Sequence, residues 1–476
     1  MDPYNELMSS KTCTLVFTRD LRLHDNKAVQ VALDNFEFVV PVFIFDNDLL
    51  EGMKTSGNRI SYLCECLIDL KENLNNIGSE LYIRQGNWQD EVLEIARQTD
   101  STGIIWSRDL SSYAQNRDKK MKKSCEQNDL DYSCVDNQTV ISPESIWPKA
   151  SPIPREFKVF TPYYNRWLEC DFGRVLPKLK KLSLPNDIPK SLKVGQILKP
   201  AKVSKSGFSP NREMGGENRA RKSLNKWVKK DLSSYEINHN DLAADKTSHI
   251  SSALHFGTLS AREVAIKLQG KPGGTPFIRQ LCWRDFYHQI LFYNPQANSK
   301  DYVNRNDIWN VDDIGFEKWC EGKTGYPIVD AAMRQLQQEG FMHNRARMVV
   351  ASFLTKDLYI DWKLGANWFM RWLTDGDIAN NYLNWQWVAS TGTDTNPNRI
   401  FNPIRQSERF DPEGTYIKRY VPELKHVDTK DIHFPHHLRE RLDGAKLLGD
   451  YPEPIVDHSD AIARYKAAKQ SNKLDS

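Results

Sequence analysis

The stretch FVVPVFIF at residues 38–45 is the longest apolar run of the chain, and it decides the fold of the first part. An apolar run of strand length between polar segments is typical of a strand that is buried on both faces of a parallel sheet. A second short apolar run precedes it at residues 14–17, and residues 58–74 carry apolar side chains at helical spacing. Strands that alternate with helices predict a mostly parallel sheet covered by helices.

The same alternation continues to about residue 140. Residues 81–83 and 103–106 are two further strand candidates. The loop TRDLRLHDN at residues 18–26 follows the first strand, at the edge where such sheets bind ligands. We therefore expect residues 1–140 to form an α/β domain with a doubly wound parallel sheet.

The chain changes character after this first part. Prolines with interspersed lysines recur over residues 141–215, which predicts a long connector with little regular structure. Residues 216–476 show helical patterns instead, and the helices are expected at 251–268, 275–293, 326–339, 344–358 and 366–373. The predicted fold class is an α/β N-terminal domain plus an all-α C-terminal domain.

Composition narrows the class of protein without naming it. The chain has 476 residues, enough for two or three domains, and 65 basic against 62 acidic residues give a net charge of +3. That balance neither requires nor excludes nucleic acid. Eight scattered cysteines indicate a reducing compartment, and neither a signal peptide nor an apolar run of membrane-spanning length is present. We expect a soluble cytoplasmic protein without membrane association.

Tryptophan is the unusual residue, since eight of the 13 tryptophans lie between residues 283 and 387. In this region Gln280, Trp283, Arg284 and Tyr287 are spaced to share one helix face. An amide, an indole, a guanidinium and a phenol suit stacking on a base and holding a phosphate. The alternative is the half-buried side of an ordinary amphipathic helix.

Two further polar segments flank apolar helices. HNRARM at residues 343–348 places Asn344, Arg347 and Met348 on one face, either as a ligand edge or as surface ion pairs. DGDIANNYLNWQW at residues 375–387 places Asp377 in line with later polar and aromatic residues. Its carboxylates fit hydrogen bonds from a ribose or an imide N–H, or a pair with Arg347, or a helix cap, better than a calcium loop.

Two segments have ordinary interpretations. The hydroxyl-rich segment TSHISSALHFG at residues 247–257 is suited to an anion at a helix start, although Ser and Thr there are equally suited to N-caps. The histidines of HFPHH at residues 433–437 lack nearby ligands at zinc spacing, so a surface loop is expected there and no metal site is predicted.

Taken in order, these segments resemble the photolyase/cryptochrome family, and most closely its class I cyclobutane pyrimidine dimer photolyases. The resemblance runs nearly end to end and rests on FTRDLRLHDN (17–26), KVFTPYYNRW (158–167), EGKTGYPIVDAAMRQL (321–336), MHNRARM (342–348) and DGDIANNYLNWQWVASTGTD (375–394). It implies an FAD held in the helical domain and light-driven repair of cyclobutane pyrimidine dimers. UV-damaged DNA is the implied partner, and a monomer is expected.

The resemblance also assigns residues. The implied FAD-binding residues are Tyr235, Thr247, Ser248, His249, Ile250, Ser251, Phe277, Gln280, Arg284, Asn344, Arg347, Asp375, Gly376, Asp377 and Asn381. An electron-transfer chain is implied for Trp309, Trp362 and Trp385. The implied catalytic residues are Gln280, Trp283, Asn344, Met348, Asn381 and Trp387. The implied DNA contacts are His239, Gln280, Trp283, Arg284, Tyr287, Asn344, Arg345, Trp387, Arg399 and Gln406.

Single positions separate the alternatives within the family. Relatives that repair (6-4) photoproducts carry histidines at the positions of Asn344 and Met348, so the resemblance favours dimer repair over that reaction and over a cryptochrome-type photoreceptor. Gln280 replaces the Glu of many class I enzymes, and His239 replaces an Arg. A second, antenna chromophore (a deazaflavin, a folate or a flavin) is left open near Arg19, Phe45, Asp46 and Arg59.

Overall fold

The computed structural model of the chain describes residues 11–396, 399–441 and 443–474. Its first part contains a five-stranded sheet of order β3-β2-β1-β4-β5, in which all neighbouring strands are parallel. The strands are β1 (Thr12–Phe17), β2 (Phe38–Asp46), β3 (Tyr82–Gly86), β4 (Gly103–Ser107) and β5 (Asp131–Val135). This confirms the doubly wound parallel sheet.

The sheet is sandwiched because its central strands are apolar on both faces. Strand β1 is buried along its whole length, and β2 is buried from its second residue onward. One face packs against helices around Ile60 and Leu67, and the other packs against helices around Val92 and Met121. The edge strand β5 was not predicted, because it is largely polar and partly exposed and therefore lacks an apolar run.

Helices cover the sheet and make up most of the rest of the chain. Those of the first part and the connector are α1 (Lys27–Asn35), α2 (Asn47–Gly52), α3 (Gly57–Asn75), α4 (Trp88–Gln98), α5 (Ser112–Gln127), α6 (Phe160–Leu168) and α7 (Pro200–Val203). Those that follow are α8 (Glu217–Lys230), α9 (Tyr235–Asn238), α10 (Ser251–Phe256), α11 (Ala261–Leu268), α12 (Gly274–Tyr293), α13 (Asp313–Glu321), α14 (Pro327–Glu339), α15 (Asn344–Ser352), α16 (Trp362–Trp372), α17 (Ile378–Ala389), α18 (Pro403–Phe410), α19 (Thr415–Tyr420), α20 (Gly444–Leu448) and α21 (His458–Leu474).

Three of the predicted helices need correction. The helix expected at 251–268 is broken at Gly257, whose left-handed φ of +68° lets the chain pass the carbonyl of Arg19, where a Cβ would clash. The helix expected at 344–358 ends at Ser352 and continues as a π-helical turn, Phe353–Asp357. The helix expected at 366–373 begins earlier, because Asp361 caps the amide of Lys363.

The connector packs against the helical part rather than hanging free. It contains α6, whose Tyr163 and Trp167 are fully buried. The buried carboxylate of Asp285 on α12 accepts hydrogen bonds from the Ile141 amide at 3.1 Å and from the Trp167 indole at 3.0 Å. These contacts hold the connector against α12, while the limits 1–140, 141–215 and 216–476 stay a prediction.

The interpretation of residues 433–437 as a surface loop is wrong for its first histidine. His433 is buried, and its Nδ1 lies 2.7 Å from the hydroxyl of Ser407. Within the described ranges, no cluster of three or more His, Cys, Asp or Glu side chains is placed to hold a metal ion. No helix in the described part of the chain combines the length and the apolar character needed to cross a bilayer.

Candidate functional site

A cavity of about 510 Å³ opens in the helical part, within the usual size range of ligand sites. Its walls come from the segment before and within α10 and from α12, α15 and α17. The fold therefore unites all four polar segments of the sequence around one space. The predicted residues that line it are Tyr235, His239, Thr247, Ser248, His249, Ile250, Ser251, Phe277, Gln280, Trp283, Arg284, Tyr287, Asn344, Arg345, Arg347, Met348, Asp375, Asp377, Asn381, Trp385 and Trp387.

We call Asp375, Asp377, Asn381 and Trp385 the pocket floor, because these four lining residues are all buried. Asp377 is the N-cap of α17, and its carboxylate accepts from the Asn380 amide at 2.8 Å. The helix that starts there carries Asn381 and Trp385 on the following turns of the same face, as their spacing predicts. One cap therefore fixes most of the floor.

The buried carboxylate of Asp377 at the floor is paired with a cation. Arg19, from the loop after β1, donates to Asp377 at 2.5 Å and to Asp109 at 3.0 Å. Burial alone would raise the pKa of Asp377, but His288 and Arg19 beside it hold that pKa well below its ordinary value. The carboxylate is therefore charged, and it ties the sheet domain to the pocket floor.

Arg347 lies beside the second floor carboxylate. Its guanidinium donates to Asp375 at 2.9 Å, which is the pairing that the sequence left as one of three options. It also donates to the carbonyl of Met342 at 2.8 Å. Both contacts hold Arg347 at the wall of the pocket.

We call Gln280, Trp283, Asn344, Met348 and Trp387 the pocket mouth, because each of them lines the cavity and is exposed or half-buried. One face of Trp283 is covered by Phe160 of the connector, with ring centroids 3.6 Å apart and planes within 4°. The Asn344 amide nitrogen lies 3.9 Å from the Met348 sulfur. Two indoles and two amides thus border the open side of the cavity.

The segment before α10 does not use its hydroxyls as caps. The N-cap of α10 is Ile250, and no side chain caps the helix. The Thr247 hydroxyl is buried without a hydrogen-bond partner in the described structure, as is Oδ1 of Asp375. Buried polar atoms without partners call for a ligand, which favours anion or ligand binding over capping at this segment.

Four predicted residues lie elsewhere than expected or are committed to other partners. Gly376 does not line the cavity. The Arg284 guanidinium is 11% exposed and donates to the carbonyls of Gln138 and Leu254, at 2.7 and 3.3 Å, which directs it into the protein. Arg399 and Gln406 lie outside the lining, although Arg399 covers the ring of Trp387 at 5.0 Å and so borders the mouth.

Two tryptophans of the implied chain are buried, and the third is partly exposed. Trp385 lies at the floor and Trp362 is fully buried, whereas Trp309 is half-exposed. The Trp362 indole N–H donates to Asp301 at 2.8 Å. Trp319, which the sequence left among the core residues, lies 6.0 Å from Trp385 in an edge-on contact.

Comparison with known proteins decides the family. Residues 14–183 match the family model described as DNA photolyase, and residues 277–471 match the FAD binding domain of DNA photolyase. A Streptomyces griseus protein named deoxyribodipyrimidine photo-lyase is 41% identical over 458 residues, which cover 96% of this chain and 98% of the relative. The chain belongs to the DNA photolyase family.

Solved structures agree with this photolyase assignment. A bacterial class III photolyase from Agrobacterium tumefaciens matches with a TM-score of 0.89 and 31% identity, covering 99% of this chain and all of that one. An archaeal photolyase from Sulfolobus tokodaii, whose structure holds two FAD molecules, matches with a TM-score of 0.84 and 30% identity over 97% of this chain and all of its own.

FAD is the cofactor that this match indicates, and the pocket fits it. The partnerless Thr247 hydroxyl and Asp375 oxygen offer a donor and an acceptor to a polar ligand, while Phe277 and Trp385 offer aromatic walls. A charged, buried Asp377 and the Arg347–Asp375 pair suit the ribose and ring edges of a dinucleotide. Which residue contacts which FAD atom stays a prediction.

Several residues of the site were missed from the sequence. His255 lies with its Nδ1 3.5 Å from Asp377, His288 lies 3.6 Å away through Nε2, and Phe160 stacks on Trp283. Arg19 was assigned to the antenna region alone. These residues come from four separate parts of the chain, and no local spacing links them to Asp377 or Trp283. Arg19, Phe160 and His255 lie within motifs quoted above, but the motifs alone do not show what these side chains contact.

Proposed function

We propose that this photolyase-family protein splits cyclobutane pyrimidine dimers in DNA with light, using reduced FAD. The observation that carries the proposal is the continuity of one cavity from the pocket floor to the pocket mouth, so that a cofactor on the floor and a base at the mouth are neighbours. When bound and reduced, FAD supplies light absorption and a transferable electron.

Residues at the pocket mouth bind the extruded dimer and orient it. Trp283 and Trp387 offer aromatic faces at the mouth on which an extruded dimer stacks. Extrusion costs a few kcal/mol, and less for a damaged, poorly stacked base, so damaged sites are selected. Gln280 and Asn344 present amides that donate to and accept from the pyrimidine edges.

The phosphate backbone is expected to lie across cations around the mouth. Arg345 lines the cavity and donates to Asn240 at 2.9 Å, and Arg399 lies over Trp387. His239 and Gln406 belong to the same proposed DNA surface, with His239 on the cavity wall. Because arginine contacts displace counterions, DNA binding should weaken as salt rises.

The electron chain of Trp385, Trp362 and Trp309 is part of the proposal. Trp385 and Trp362 are buried and Trp309 is partly exposed, and the three indoles lie in mostly apolar surroundings. With FAD bound, the three indoles would pass electrons from the exposed end, Trp309, towards the pocket floor.

A second chromophore is a further part of the proposal, supported by the two FAD molecules of the Sulfolobus tokodaii structure. The residues considered for it lie near the carboxyl ends of β1 and β2. Among them, Asp46 accepts a hydrogen bond from Tyr113, and Arg59 donates to Ser56 at 2.6 Å. Arg59 is half-buried, its Nε is buried without a hydrogen-bond partner, and it has no carboxylate partner in the described ion pairs, which favours an anionic or carbonyl-rich ligand there. We further propose a cytoplasmic monomer.

The test uses DNA with one thymine dimer at a defined position. The reduced, FAD-loaded protein is mixed with it under blue light or in the dark, and recovery of thymine absorbance is followed. Recovery in the light alone is expected. The same oligonucleotide carrying a (6-4) photoproduct is the matched control: repair of it would contradict the argument from Asn344 and Met348. Photoreduction without repair of either lesion would favour a photoreceptor.

A further inference from the structure

Aromatic contacts continue past Trp309, the half-exposed end of the tryptophan chain. The ring of Trp309 lies 5.1 Å from that of Tyr359, and the Tyr359 ring lies 5.7 Å from that of Tyr465. The backbone fixes the first contact, because the Asn310 amide donates to the Tyr359 carbonyl at 2.7 Å. A phenol is therefore held within electron-transfer contact of the last indole.

Neighbouring contacts hold Tyr359 in an unfavourable backbone conformation. Its φ is +53°, in the left-handed region that bulky side chains rarely adopt. Neighbouring Ile360 donates its amide to Leu354 at 3.0 Å, and Asn310 pairs with Ile360 in an isolated bridge. Strain of this kind persists where the surroundings over-determine the geometry, often at functional sites.

A proton acceptor faces the phenol. The Tyr359 hydroxyl donates to Oδ1 of Asp307 at 3.0 Å, a distance suited to proton transfer. The Asp307 side chain is fully buried and pairs with Lys469, and its Oδ2 has no hydrogen-bond partner in the described structure. An oxidised phenol loses its proton readily, so a carboxylate at this point makes Tyr359 a far better electron donor than an isolated tyrosine.

Two other tyrosines near the chain lack this arrangement. Tyr382 lies 6.3 Å from Trp362, but its hydroxyl donates to the amide oxygen of Asn367 at 2.8 Å. The Tyr465 hydroxyl accepts a hydrogen bond from Lys356 at 2.7 Å, so a donor faces it. An amide oxygen is a poor base. Tyr465 lies one step further along, because its ring contacts that of Tyr359 and none of the described ring contacts joins it to a tryptophan.

We propose that Tyr359 is the terminal electron donor of the chain and that Asp307 accepts its proton, a role that rests on the proposed function. One electron passes from Tyr359 to the protonated Trp309 radical cation, the phenolic O–H bond breaks, and the proton goes to the Asp307 carboxylate. The products are neutral Trp309, a neutral tyrosyl radical and the Asp307 carboxylic acid. A thiolate in solution then returns one electron to the radical, and the proton returns from Asp307.

The test is a blue-light flash on the full FAD-loaded chain with its flavin oxidised, followed by transient absorption and electron paramagnetic resonance. Ring-deuterated tyrosine identifies the radical, because deuteration narrows a tyrosyl spectrum and leaves a tryptophanyl spectrum unchanged. A tyrosyl signal that forms as the tryptophan radical decays is expected in the wild type. Tyr359→Phe should abolish it and prolong the tryptophan radical, whereas the matched control Tyr382→Phe should retain it.

Asp307→Asn provides the second variant, which keeps Tyr359 and removes only the base. It should slow tyrosyl formation and reduce its solvent deuterium isotope effect, with flavin content as the check on folding. A tyrosyl signal that survives Tyr359→Phe, or that Tyr465→Phe abolishes instead, would overturn the proposal. A tryptophan radical without any tyrosyl signal in the wild type would overturn this proposal alone, whereas no tryptophan radical at all would overturn the electron chain as well.

Discussion

The floor and the mouth of the pocket border one cavity but are built differently. At the floor, Asp377 is a charged cap held by Arg19, and Asp375 pairs with Arg347. At the mouth, Gln280 and Asn344 are exposed amides, and Trp387 is a half-buried indole. A rigid, charge-paired floor suits a ligand that stays bound, whereas an open mouth of amides and indoles suits one that comes and goes.

Among substitutions that test this difference between floor and mouth, the largest effect is expected at the floor. Asp377→Asn keeps the cap of α17 but removes the charge that faces Arg19. Because breaking a buried pair from one side costs up to about 3–5 kcal/mol, we expect loss of bound FAD and a lower free energy of unfolding. Flavin absorbance of the purified protein measures the bound FAD, and urea unfolding measures the free energy of unfolding.

Glu94→Gln is the control for that prediction. It removes one partner of an ion pair with Arg97 on an exposed helix and should leave flavin content unchanged. An Asp377→Asn protein that retained its full complement of FAD would show that the floor is not organised by this charge.

A smaller effect is expected from His343, which connects the floor to the mouth. It caps α15, the helix of Asn344 and Arg347, and its Nδ1 accepts from the Arg345 amide at 3.1 Å. Burial lowers the pKa of His343 to about 4, below about 6.5 in an unfolded chain. Its contribution to stability is therefore present above pH 6.5 and is lost as the pH falls towards 4.

His343→Asn checks the sign of this pH dependence, because asparagine caps a helix without titrating. Urea unfolding at several pH values from neutral down to 4 should show a flatter curve for the variant, by about 1 kcal/mol, because asparagine keeps the cap that protonated His343 loses. His437→Asn, at an exposed histidine, is the control. Equal curves for wild type and His343→Asn would contradict the assigned cap.

At the mouth, Gln280→Ala should lower the repair yield and leave flavin content intact. One hydrogen bond to the extruded base is worth about 0.5–1.5 kcal/mol, so a decrease of about 2- to 10-fold is expected. Repair of dimer-containing DNA and flavin absorbance are measured on the same sample. Loss of flavin instead would place Gln280 at the floor.

The smallest effect at a fixed salt concentration is expected for Arg345→Ala. If Arg345 contacts one phosphate, the slope of log affinity against log salt should decrease by about 0.9. Binding to undamaged and damaged duplexes is compared by titration at several salt concentrations. If Arg345→Ala alters the preference for damaged DNA but not the slope, Arg345 contacts a base rather than the phosphate backbone.

The sequence predicted the parts that depend on local pattern. Strand β2 was predicted because burial on two faces requires a continuous run of apolar residues. Strand β5 was missed because an edge strand does not require such a run, and β5 is largely polar. The face of Asp377, Asn381 and Trp385 followed from helical spacing once the cap was recognised.

The amino-acid pattern was enough to predict the central strands, the division into an α/β part and a helical part, and the family to which the motifs point. The packed structure was needed to show that Arg19 pairs with Asp377, that Phe160 covers Trp283, and that Tyr359 lies against Trp309. The reason is physical: helical and strand periodicity act over a few residues, whereas these contacts join segments that are adjacent only after the chain has packed.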